Sequence, residues 1–263
     1  MDINQAYNNV AAVGDFPPIM ASFRQRSAHT YARHAWRRDL RYGARPRERF
    51  DWFAQPLGSA PSLLFIHGGY WQASDKEDYS FIAEGLIQAG FNVGLIEYTL
   101  APEASMGLIV EQIGQALDTI GRQRQALNIG GPVVLAGHSA GGHLSAMHRC
   151  HALLDLVMPI SGLMDLEPIS RCWLNEKLQL SEDDIRRFSP QRLIDDGAPL
   201  LVSVGANELP ELIRHSHDYV QACRAAGQSV THRVLPGCHH FAVLDDLADG
   251  QGEQLAALVA ALR

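Results

Sequence analysis

Val133-Val134-Leu135-Ala136-Gly137-His138-Ser139-Ala140-Gly141-Gly142 decides the fold, because an apolar, β-branched strand runs directly into G-x-S-x-G and then into helix-compatible sequence. A serine on so tight a strand-to-helix turn needs small neighbours, and the glycines at 137, 141 and 142 give the backbone room for close approach. The hydroxyl then stands at a helix N-terminus, where unpaired N–H groups and the positive dipole end favour developing negative charge. Working outward, Leu63-Leu64-Phe65-Ile66 reads as a buried strand that opens into His67-Gly68-Gly69-Tyr70-Trp71. A glycine-containing loop in that place can aim two backbone N–H donors at a carbonyl oxygen on which charge builds during nucleophilic attack.

A hydroxyl nucleophile needs a histidine to take its proton and a carboxylate to orient the imidazole. The strand Pro199–Gly205 opens into Ala206-Asn207-Glu208-Leu209-Pro210-Glu211, and open parallel sheets gather functional groups at that edge. Glu208 is the favoured acid. Asp165, after the strand Leu156–Ile160, is the runner-up, and Glu211 a third choice. The last strand, Ser229–Leu235, leads into Pro236-Gly237-Cys238-His239-His240-Phe241, which offers two adjacent histidines that spacing alone does not separate.

At these residues the chain resembles the α/β-hydrolase superfamily and, within it, the kynurenine formamidase (arylformamidase) branch, whose loop is written H-G-G-x-W and here spans His67 to Trp71. Glu97-Tyr98-Thr99-Leu100-Ala101-Pro102-Glu103 is also similar to a segment of the hormone-sensitive-lipase-like esterases, whose loop is H-G-G-G. The resemblance implies an oxyanion hole built from the N–H groups of Gly69, Tyr70 and Ala140, and a catalytic histidine directly before Phe, which favours His240 over His239. It implies Ser139, Glu208 and His240 as the triad of a serine hydrolase that cleaves a small aryl formamide or carboxylic ester through an acyl-enzyme, with N-formylkynurenine as one such formamide. Trp71, His138 and His239 are expected near the substrate pocket, although Trp71 serves equally well as a brace beneath the loop. A short-chain carboxylesterase or thioesterase would use the same machinery, and a hydrolase-fold binding protein without turnover is disfavoured because every part of the constellation is present.

The rest of the chain alternates. Mainly helical sequence fills the first forty residues, strands are expected at 39–42 and 49–53, and then come strand 63–66, helix 78–89, strand 92–97, helix 106–120, strand 132–137, helix 140–151 and strand 155–160. Strand 199–204, helix 210–226, strand 229–235 and helix 252–262 complete it. Such alternation predicts an α/β fold with a mostly parallel sheet and helices on both faces, and the 263 residues read as one domain. Ser181-Glu182-Asp183-Asp184 marks a helix N-cap with Pro190 closing that helix, so about 163–190 reads as a small cap insert.

Twelve histidines raise the question of a metal, and their spacing answers it: His143, His148 and His151 do not share one helical face, nor do His215 and His217. No metal and no cofactor is expected, since serine, histidine and carboxylate carry the chemistry themselves. A net charge of −7 gives no general attraction to nucleic acid. The nine arginines between Arg24 and Arg49 read as a solvated helix face, so the expected partner is a small-molecule substrate. Met1 to Pro18 lacks an apolar signal core and no stretch is long and apolar enough for a bilayer, so the expected place is the cytoplasm, away from membranes. Cys150, Cys172, Cys223 and Cys238 show no metal or redox spacing and should be free thiols there. Base rate alone offers a homodimer.

Overall fold

A computed structural model describes residues 2–263. The chain builds an eight-stranded sheet from β1 (Arg37–Arg41), β2 (Arg49–Phe53), β3 (Ser62–Ile66), β4 (Asn92–Ile96), β5 (Val133–His138), β6 (Leu156–Ile160), β7 (Leu200–Gly205) and β8 (Val230–Leu235). Their spatial order is β1-β2-β4-β3-β5-β6-β7-β8. β2 pairs antiparallel with both β1 and β4, and every pairing from β4 onward is parallel. The mostly parallel α/β-hydrolase sheet expected from the alternation is therefore present.

The helices are α1 (Ile3–Ala6), α2 (Asn9–Ala12), α3 (Phe16–Arg33), α4 (Ala83–Gln88), α5 (Met106–Arg122), α6 (Ala140–Met147), α7 (Asn175–Leu178), α8 (Glu182–Phe188), α9 (Pro210–Ala225), α10 (Ala242–Ala248) and α11 (Glu253–Ala261). Because side chains alternate across a strand, each central strand feeds two cores. Leu64, Ile66, Leu135 and Val157 pack under α5, α6 and α9, whereas Leu63, Phe65, Val134 and Met158 pack under α3, α4, α10 and α11. The parallel strands β3 to β7 are buried along their whole length, which is why they read as continuous apolar runs, whereas the edge strand β8 is largely exposed.

Three local expectations need correction. The helix expected at 78–89 is a 3-10 segment, Lys76–Ile82, followed by the short α4. The helix expected at 140–151 stops at Met147, so His148 and His151 lie beyond it, where the His148 ring packs within 2.9 Å of the Val110 carbonyl and the His151 ring faces Asp118. α10 was not anticipated: its apolar residues Val243, Leu244 and Leu247 make only one and a half turns of pattern, too short for a helical period to register. The N-cap of α8 is as expected, and it forms a full capping box, with Ser181 Oγ accepting from the Asp184 N–H and the Asp184 side chain accepting from the Ser181 N–H.

Most of the Arg24–Arg49 cluster is engaged internally. Arg24 pairs with Asp78, Arg26 with Asp245, Arg47 with Asp75 and Arg49 with Glu77. Among the described residues, no helix is long and apolar enough to cross a membrane.

Candidate active site

The edge formed by the C-terminal ends of β3, β5, β6 and β7 brings together the segments that matter. Ser139 sits between β5 and α6 with φ 55 and ψ −115, a strained conformation for a residue with a Cβ. It is held there by its own N–H donating to the Ile160 carbonyl at 2.8 Å and its carbonyl accepting from His143 N at 3.0 Å. Close approach explains Gly141, where a Cβ would lie 2.0 Å from the Ile66 carbonyl oxygen at the end of β3.

Glu208 and His240 meet across the loops after β7 and β8. The His240 Nδ1 proton is donated to Glu208 Oε2 at 2.6 Å, with both side chains buried. The other carboxylate oxygen accepts from the Gly205 N–H at 2.8 Å and from the Ser161 hydroxyl. With Nδ1 so occupied, Nε2 is the nitrogen left to take a proton. Asp165, the runner-up acid, instead faces Arg192 at 3.2 Å and accepts from Glu167 N; Glu211 accepts from Tyr7 and Arg214. Neither reaches His240.

Ser139, His138, His240, Gly69 and Tyr70 line one cavity of about 160 Å³. The loop that carries Gly69 and Tyr70 is tightly folded: Gly69 has φ +109, and a Cβ there would strike the Ala73 carbonyl at 2.2 Å. Tyr70 and Trp71 follow in the left-handed region at φ 58 and 59. Gln72 N and Ala73 N both donate to the Gly69 carbonyl at 2.9 Å, turning that carbonyl into the loop. Among the described residues, the N–H groups of Gly69, Tyr70 and Ala140 find no acceptor in the protein. Gly69 and Tyr70 line the cavity and Ala140 follows Ser139 directly, so these donors are an arrangement that can hold an anionic oxygen.

Behind the loop lies an ionic network that sequence reading did not find. His67 faces oxygen atoms on both sides, Gly68 O at 2.7 Å from Nδ1 and Glu97 Oε1 at 2.8 Å from Nε2. Glu97 also accepts from Arg47 at 2.7 Å and from the Lys76 N–H at 3.0 Å. Burial alone would raise its pKa, but His67 and Arg47 outweigh that and hold the carboxyl down at about 2. Arg47 continues to the Tyr98 carbonyl at 2.8 Å, tying the two segments together. In the sequence Glu97 stands out only as the glutamate that closes an apolar strand and opens the segment similar to the hormone-sensitive-lipase-like esterases, neither of which names its partners.

Two expected pocket residues lie elsewhere. Trp71 is fully buried and donates from Nε1 to His143 Nδ1 at 3.3 Å, so it braces the loop from beneath. The His239 ring accepts from the N–H groups of Phe241 and Ala242 at 3.2 Å each, covering the start of the unanticipated α10. His138 does line the cavity. Its Nε2 donates to the His240 carbonyl at 2.7 Å, and burial, with His240 beside it, holds the ring well below the usual imidazole range and therefore neutral. Val10 and Phe16, from the N-terminal helices, were not expected at the site and supply one wall. Burial pushes the nearby Cys238 thiol up, which makes it a poor thiolate.

Buried histidines also set a stability limit. Burial brings His143, His148 and His215 down to about 4. Their ring nitrogens are committed as neutral partners, His215 Nδ1 accepting from Met164 N at 2.9 Å for instance. The unfolded chain binds these protons near pH 6.5 and the folded chain does not, so stability is full above that value and falls as pH drops toward 4. At pH 5 each ring is expected to cost about 2 kcal/mol. Urea titrations at pH 7 and pH 5 measure the difference.

A family model described as BD-FAE matches residues 54–155. The kynurenine formamidase of Danio rerio is 30% identical over 227 residues, covering 80% of this chain and 76% of that one. Esterase LipC of Mycobacterium tuberculosis is 25% identical, over 92% of this chain and 67% of its own. A solved structure from Silicibacter sp., which carries a provisional thioesterase name, superimposes with a TM-score of 0.88 at 31% identity, covering 100% and 99% of the two chains. Fold and relatives together make this an enzyme of the α/β-hydrolase class. Within that class, the chain belongs to the kynurenine formamidase family.

Proposed function

We propose that the protein is a serine hydrolase that cleaves a small aryl formamide or carboxylic ester with Ser139, His240 and Glu208 as its triad. The observation that carries the reading is the single cavity lined by strained Ser139, Glu208-held His240 and the unpaired loop N–H groups of Gly69 and Tyr70, with the Ala140 N–H next to Ser139 in the chain. His240 Nε2 takes the Ser139 proton as the hydroxyl attacks the carbonyl carbon. The N–H groups of Gly69, Tyr70 and Ala140 hold the oxyanion, and His240 returns the proton to the departing amine or alkoxide. Water, activated by the same imidazole, then releases the acid and restores Ser139. The kynurenine formamidase name of the Danio rerio relative supports an aryl formamide as one substrate class, and the esterase names support an ester.

No cofactor enters this scheme. In it the 163–190 insert acts as a cap that steadies the oxyanion loop: Gln72 Nε2 donates to the Leu174 carbonyl at 2.8 Å, and the Tyr70 and Trp173 rings meet edge-on at 5.3 Å. The buried carboxylate behind the loop makes a second contribution. Glu97→Gln removes the carboxylate that Arg47, His67 and the Lys76 N–H share behind the loop, and the resulting shift of the donors is expected to lower kcat by about 10²-fold while KM changes little. Steady-state kinetics on p-nitrophenyl butyrate separates the two parameters. The proposal as a whole is tested with a fluorophosphonate probe: mass spectrometry should find the adduct on the Ser139 peptide, and labelling on any other residue with Ser139 unmodified would refute the assignment.

A further inference from the structure

We infer that the site accepts an uncharged ester or formamide whose buried part is no larger than about one aromatic ring, and that Val10 and Phe16 set this limit. The inference rests on the hydrolase reading above and narrows its substrate class. The cavity measures about 160 Å³, and an apolar cavity of roughly 150 Å³ holds a benzene molecule. Its walls away from the nucleophile are the side chains of Val10, Phe16, Tyr70, Tyr79 and Phe241. Among the described residues, no Asp, Glu, Lys or Arg lines it. The polar groups it offers are the Ser139, Ser74, Tyr70 and Tyr79 hydroxyls, two imidazoles and the loop N–H groups, which suit a carbonyl and its leaving atom and include no carboxylate, ammonium or guanidinium. An ammonium or carboxylate drawn into such walls would lose its hydration and gain no counter-charge, a penalty that grows steeply with burial.

The limiting wall is anchored rather than loosely laid on. Tyr7, which is buried, donates its hydroxyl to Glu211 Oε2 at 3.0 Å and lies 3.0 Å from His215 Nε2. His215 Nδ1 in turn accepts from the Met164 N–H at 2.9 Å, which fixes the stretch after β6. Asn4 Oδ1 accepts from Trp173 N at 2.8 Å, tying α1 to the cap insert. Further along, the Phe16 ring packs on Phe241 with centroids 5.1 Å apart, directly beside His240. An acyl chain that outgrows the cavity meets this fixed face, and a bulkier substrate requires that it move.

The test compares kcat/KM of the full chain on p-nitrophenyl acetate, butyrate and octanoate, and on formanilide beside N-formyl-L-kynurenine, for wild type, Ser139→Ala, Val10→Ala, Phe16→Ala and Phe16→Trp. Wild type is expected to favour acetate or butyrate over octanoate by at least 100-fold and formanilide over the zwitterionic N-formyl-L-kynurenine by at least tenfold. Val10→Ala or Phe16→Ala should raise the octanoate-to-acetate ratio at least tenfold, and Phe16→Trp should lower the butyrate-to-acetate ratio. Melting curves show which variants are folded, and the two wall positions on separate helices leave a usable variant if one fails. Equal or better turnover of N-formyl-L-kynurenine than of formanilide, or a chain-length profile that no wall variant moves, overturns the inference and leaves the hydrolase reading standing. Absence of Ser139-dependent turnover on every substrate overturns that reading instead, and the inference falls with it.

Discussion

Ser139→Ala is expected to lower kcat on p-nitrophenyl butyrate by about 10⁴-fold or more while leaving the melting temperature within a few degrees of wild type. The size of the loss follows from the kind of interaction removed. Ser139 would form the covalent bond itself, and the oxyanion donors and binding walls that remain supply only the residual acceleration. Stability should hold because the hydroxyl makes no hydrogen bond to another described residue, while the backbone bonds that fix the elbow, to Ile160 and from His143, do not involve the side chain. The smaller Ala side chain keeps the strained φ of 55, so the elbow loses no contact that it needs. A variant with more than a tenth of the wild-type rate would require another nucleophile, and the triad assignment would be abandoned.

Glu208→Ala is the second large effect, expected to cost about 10³- to 10⁴-fold in kcat. Removing the carboxylate frees His240 Nδ1 from its 2.6 Å bond, so the ring loses both its tautomer and its orientation. It also leaves the Gly205 N–H and the Ser161 hydroxyl without the oxygen to which they donate. The same substitution at Asp165 should change kcat less than about threefold, because that carboxylate lies in a partly exposed pair with Arg192, and such pairs contribute little. Measuring both variants in parallel under saturating substrate gives a direct comparison. If Asp165→Ala were the more damaging, the acid would have been misassigned.

The pairing of Glu208 with His240 shows how far sequence could go. Each stood in a loop after a recognisable buried strand, so chain order narrowed the acid to three carboxylates and the base to two adjacent histidines. Spacing left His239 and His240 equivalent and only the resemblance favoured His240; packing separates them, the former turning toward the start of α10, the latter toward Glu208. Trp71 illustrates the reverse. A tryptophan beside a catalytic loop suggests a substrate wall, yet a φ of 59 turns it under the loop, where His143 accepts its N–H. Neither outcome has a local signature, because each depends on a partner dozens of residues away. The same holds for Glu97, whose partners His67 and Arg47 come from separate segments, and for Val10 and Phe16, which the sequence places only within a mainly helical stretch.

What the sequence by itself determined was the alternation of buried strands and helices, the elbow at Ser139, the loop at His67–Trp71 and the strand ends that present Glu208 and His240. These features are local: a turn that tolerates only glycine, or a strand buried on both faces, writes its constraint into neighbouring residues. Tertiary structure alone decided which carboxylate meets the histidine, which aromatic rings line the cavity and which brace it, and how large a substrate part the N-terminal wall admits. Those choices follow from distances between side chains far apart in the chain, and the energy that settles them, burial against hydrogen bonding and charge pairing, exists only once the elements have packed.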